Sequence, residues 1–94
     1  MYKELDPLLH SQLRLAIMSV LISVKEAEFS FLREKTQATA GNLSVQINKL
    51  ADAGYIQVQK SFRDNYPLTK CKVTSKGVKA FEVYVDALKK YIRN

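Results

Sequence analysis

Asn42, Val45, Gln46 and Lys49 follow one another at the spacing that brings side chains to one face of a helix. Their types suit the recognition of base edges. Asn and Gln amides can bond bidentately to adenine, a valine side chain can pack on a thymine methyl, and lysine can reach guanine or phosphate. An ordinary solvated helix face has a similar composition, so the weight of this reading rests on the surrounding chain.

The element that must carry these residues is the segment 39–54, TAGNLSVQINKLADAG. Thr39 is an N-cap that can accept a backbone N–H, and Gly54 supplies the left-handed residue that stops a helix. Between them Ala40, Leu43, Ile47 and Leu50 form the opposite, apolar face.

Ninety-four residues are enough for one small domain with a modest core. The net charge of +6 lies wholly beyond residue 54, since residues 1–54 carry six basic and six acidic side chains and residues 55–94 nine and three. A basic half points to a polyanion, nucleic acid before an anionic membrane surface. Cys71 and His10 are the only residues of their kinds, so neither a disulfide nor a zinc cluster is expected, and a reducing cytoplasm fits best. The apolar run Ala16 to Val24 is short and interrupted by Ser19 and Ser23, so no membrane span or export signal is expected.

In chain order, Asp6 and Pro7 are expected to open a first helix running to about Val24. Leu13, Ile17, Val20, Leu21 and Val24 make its core stripe, and Leu8, Leu15, Met18 and Ile22 a second stripe on the other side. Residues 27–29 allow a very short strand, after which Ser30 caps a second helix to about Ala38, anchored by Phe29, Phe31 and Leu32. Thr39 then separates two helices in a tight helix-turn-helix joint. Tyr55 to Lys60 and Thr69 to Thr74 alternate as strands, and the polar loop Ser61 to Leu68 joins them into an antiparallel hairpin. Thr74 or Ser75 caps a last helix to about Ile92. Its apolar residues Val78, Phe81, Tyr84, Val85, Leu88, Tyr91 and Ile92 spread wider than the roughly 100° stripe of a single core contact. The surplus on both terminal helices leads to an expected homodimer contact through Leu8, Leu15, Met18, Ile22, Tyr84, Leu88 and Tyr91.

The runs GNLSVQINKLADAGYI and PLTKCKVTSKG resemble the short winged-helix transcriptional regulators related to the MarR and ArsR groups. The matching features are the Gly-Asn-Leu-Ser start at residues 41–44, the Leu-x-x-x-Gly-Tyr exit at 50–55 and the Thr-x-x-Gly opening at 74–77. The resemblance implies a mainly α fold with a small β-hairpin, a winged helix-turn-helix. It also implies that Asn42, Val45, Gln46 and Lys49 enter the major groove of double-stranded DNA while Arg63 meets backbone or minor groove. Thr39, Gly41 and Ser44 complete the expected surface on the helix, and Lys60, Asn65, Lys70 and Lys72 on the wing. Metal sensing of the ArsR kind lacks its Cys and His ligands, and no cofactor is expected. His10 and Cys71 fall on different elements and no phosphate-binding Gly-rich loop occurs, so an enzyme is not expected. The competing reading is a winged helix that binds an acidic protein partner.

Overall fold

In the computed structural model, which describes residues 2–93, the elements run α1 (Gln12–Val24), β1 (Glu26–Glu28), α2 (Phe29–Thr36), α3 (Ala40–Asp52), β2 (Ile56–Arg63), β3 (Tyr66–Val73) and α4 (Ser75–Ile92). The three strands form an antiparallel sheet in the order β1-β3-β2. This is a winged helix: helices packed on a small sheet whose β2–β3 hairpin extends beyond the core. Leu9, Ile17, Met18, Leu21, Leu32, Leu43, Leu50, Ile56 and Cys71 make the fully buried centre. No helix among the described residues is long and apolar enough to cross a membrane.

Several local expectations are corrected. Asp6 does cap, with its carboxylate accepting from the Leu8 N–H, but it closes only a turn: the carbonyl of Asp6 takes the N–H groups of Leu9 and His10. The helix begins later, where Ser11 is the N-cap and accepts from Arg14 N. The expected stripes of α1 are also displaced. Met18 is fully buried under the first turn of α4, whereas Val24 is 43% exposed. Tyr84 is core as well, and its hydroxyl lies 3.0 Å from His10 Nδ1. Met18 and Tyr84 are therefore unavailable to a partner subunit.

Glu28, not Ser30, stands at the N-terminus of α2, and its side chain makes no capping bond. The strand at Ala27 pairs with Cys71 and takes one more residue on its N-terminal side than expected. The hairpin is longer than its alternation suggested. Both strands continue to the Arg63 and Tyr66 pair, and only Asp64 and Asn65 form the turn, both at positive φ (49° and 67°) as a primed two-residue hairpin requires. Pro67 fits because it lies beyond the stretch of β3 that β1 covers, where no ladder bond is needed from its nitrogen.

The exit of α3 and the start of α4 are locked together. Tyr55 N donates to Leu50 O and Gly54 N to Ala51 O, with Gly54 at φ 80°, the bond pair of a left-handed helix stop. Thr74 then closes the joint from the other side: its hydroxyl donates to Gly54 O at 2.6 Å and accepts from Gly77 N at 2.9 Å, while its own N–H reaches Tyr55 O. The approach is so close that a Cβ on Gly77 would sit 2.1 Å from the Tyr55 carbonyl oxygen. Gly77→Ala should cost about 3 kcal/mol or more, measured as a fall in urea midpoint at unchanged m-value.

Tyr55 also ties down the N-terminal segment, since its hydroxyl donates to Asp6 Oδ2 at 2.6 Å. That bond, with burial and the nearby carboxylate charge, pushes the phenol pKa from 10.0 up to about 12. The neutral phenol is the form the fold favours, so its contribution is complete below pH 10 and is lost as pH rises towards 12. Urea titrations between pH 9 and 12 should show that loss, and Tyr55→Phe should remove this part of the pH dependence.

Candidate nucleic-acid interface

α2 ends at Thr36, whose hydroxyl donates back to Leu32 O, and Gln37 adopts the left-handed conformation that breaks the helix. Thr39 restarts it by accepting from Asn42 N at 3.2 Å. The chain thus changes direction within a few residues, and α3 is anchored by Leu43, Ile47 and Leu50 against α1 and the sheet. Burial of one face dictates exposure of the other. Gly41, Asn42, Ser44, Val45 and Lys49 are exposed, Val45 by 49%. A Cβ at Gly41 would meet nothing within 4 Å, so that position is open surface.

Gln46 differs from its neighbours. It is half-buried, its Oε1 accepts from Arg14 Nη1, and its Nε2 donates to Asn42 Oδ1 at 3.0 Å. Arg14 is itself held by a bond from Nε to Leu8 O. Sequence spacing placed Gln46 on the reading face but carried no sign of Arg14, which comes from a helix 32 residues away.

The basic hairpin residues divide between two faces. Lys60 shares the parity of Ile56 and Val58 and lines a cleft with Ser44 and Asn48 of α3, so it stands beside the reading face. Arg63, Lys70 and Lys72 lie on the outer face. There Arg63 pairs with Glu28 at 3.0 Å and Lys70 with Glu26 at 3.8 Å, the two acids of β1. These pairs are solvent-exposed, worth about 0–1 kcal/mol each, and can be exchanged for other anions at little cost. Asn65 occupies the turn. Two aromatic side chains that the sequence reading passed over, Phe62 at 76% and Tyr66 at 74% exposure, flank the tip. Cys71 is fully buried, and burial pushes its thiol up to about 11, so it is an inert core residue.

A helix presented by a tight turn beside a basic hairpin defines the winged helix-turn-helix class. Residues 13–92 match the model of the winged helix DNA-binding domain family, and the chain belongs to that family. The uncharacterized protein MJ0432 of Methanocaldococcus jannaschii is 32% identical over 85 residues, 90% of this chain and 92% of its own. The transcriptional regulator homologue of Pyrococcus horikoshii OT3 superposes with a TM-score of 0.85 at 29% identity, covering 92% of this chain and 85% of its own. A MarR mutant of E. coli, solved with operator DNA, shares the fold at 14% identity, with a TM-score of 0.72 over 94% of this chain and 68% of its own. The family is thus a winged helix DNA-binding domain, and the fold is shared with solved transcriptional regulators.

Thr39 sets where the reading helix starts. Thr39→Ala should lower stability by about 1 kcal/mol and raise amide exchange at Asn42, read by denaturant titration and hydrogen exchange.

Proposed function

We propose that this protein is a sequence-specific regulator of transcription that binds double-stranded DNA. α3 lies in the major groove with Asn42, Val45 and Lys49 towards the bases, and the wing lies along the backbone or minor groove. The observation that carries this is the pairing of an exposed polar face on an otherwise buried helix with Lys60 directly beside it. Ser44, Gly41 and the cap at Thr39 lie where phosphates would pass. Arg63 and Lys70 exchange their exposed acidic partners for phosphate, Lys72 meets it directly, and Asn65 lies at the wing's leading edge. In this reading residues 1–94 act as one winged-helix unit in the cytoplasm.

The proposal includes a homodimer. With Met18 and Tyr84 assigned to the core, the contact falls to the half-buried Leu8, Leu15, Ile22 and Leu88 and to Tyr91. Val83 and Ile92 of α4, 53% and 73% exposed, extend the same apolar supply. A two-fold pair would present its reading helices about one DNA turn apart, roughly 34 Å, and favour a palindromic site.

The test compares variants on a site selected from a random duplex pool and on random duplex. Asn42→Ala should weaken the selected site by about 1–3 kcal/mol and leave random duplex nearly unchanged. Lys60→Ala should weaken both alike and lower the salt slope by about 1. Ile22→Glu should sediment as a folded monomer with much weaker operator binding, because it places an unpaired charge in the contact. Equal losses on both duplexes for both DNA-face variants would sink the division of labour; a monomeric parent with full half-site affinity would sink the dimer.

A further inference from the structure

Three hydrogen bonds run in series from the N-terminal segment to the reading helix: Arg14 Nε to Leu8 O, Arg14 Nη1 to Gln46 Oε1, and Gln46 Nε2 to Asn42 Oδ1. The direction of this series is set by chemistry. A guanidinium only donates, so Gln46 must turn its oxygen to Arg14. Its nitrogen is then left for Asn42, which must turn its own oxygen inward to accept. Asn42 Nδ2 faces away from the series, on an exposed residue at the N-terminal end of α3.

We propose that Arg14 acts through Gln46 as a positioning residue that makes Asn42 a donor-only reader of the major groove, with guanine as its preferred base. This rests on the DNA-binding reading above. An unconstrained Asn or Gln reads adenine by presenting both an acceptor to N6–H and a donor to N7. Here the Oδ1 of Asn42 and both ends of Gln46 are committed to the protein. The remaining amide donors match the two acceptors of guanine, N7 and O6, or thymine O4 less fully. Cytosine offers only its N4 donor and is rejected. The adenine chemistry expected from residue types alone is thereby replaced, and the change originates in a residue that need not touch DNA.

Gln46→Glu tests the idea because it changes polarity without removing the link. A glutamate still accepts from Arg14 but has no donor for Asn42, so Asn42 should turn its Nδ2 inward and present Oδ1 outward. In the free protein, exchange of assigned side-chain amide protons should be slower at Gln46 than at Asn42 for the parent. In Gln46→Glu the Asn42 amide should become several-fold slower. In selection from a random duplex pool, the base facing Asn42 should change from guanine to cytosine or adenine, a reversal of about tenfold or more in relative preference. Arg14→Gln, whose amide can face either way, should flatten that preference, with its melting temperature recorded to separate folding from reading. An Asn42 amide as protected as that of Gln46 in the parent overturns the polarity, and an unchanged base preference in Gln46→Glu overturns the readout. A parent that binds no duplex overturns the regulator reading and the readout together, while amide exchange still decides the polarity.

Discussion

The whole arrangement turns on the contact between the Tyr55 carbonyl and the first turn of α4. The space at Gly77 admits a hydrogen and no methyl, and Thr74 uses its hydroxyl in both directions to hold the two segments together. Through this joint the end of the reading helix, the root of the hairpin and the start of the last helix form one rigid unit. The angle between α3 and the wing follows from it, because β2 begins at Ile56, one residue beyond the locked carbonyl. Asp6 adds a fourth segment through the Tyr55 hydroxyl, so the N-terminal chain is held against the same point.

On this frame the two sides of α3 have opposite constraints. Leu43, Ile47 and Leu50 are fixed by close packing, where a change of even one methylene is felt. The outward side chains have no such confinement, and a free Asn or Gln there would sample several orientations at an entropic cost on binding DNA. The bonds from Arg14 through Gln46 to Asn42 remove part of that freedom in advance. Preorganisation of this kind trades versatility for discrimination.

The wing shows a related balance. Two of its outer basic residues, Arg63 and Lys70, are paired with Glu28 and Glu26 on β1, which lowers the repulsion within a strongly basic hairpin. Lys60, on the inner face, has no ion pair among the described residues and stands next to α3. The charge of Lys60 is therefore uncompensated where the proposed groove contact lies, an outcome of strand parity and of which strand β1 joins.

Much of this was legible in the sequence because it depends on neighbours in the chain. The cap at Thr39, the stop at Gly54, the buried face of α3 and the alternation of Ile56, Val58, Cys71 and Val73 follow from periodicities and local bonds that span a few residues. The resemblance in residues 41–56 and 67–77 supplied the winged-helix order, and the family match bears it out. Boundaries were less legible. A turn closed by Asp6 mimics a helix start, and the turn formers near Pro67 concealed the last strand residues, since Pro67 is tolerated only where no third strand needs its nitrogen. Periodicity also marks Met18 and Tyr84 as apolar without saying which surface covers them; α4 crossing α1 at Gly77 and His10 meeting Tyr84 decided that. The local pattern thus determined which elements form and which face of each is apolar. Only the tertiary structure decided which of those faces meet, and that Arg14 and Gln46 are partners, because hydrogen bonds between distant segments leave no spacing in the chain to be read.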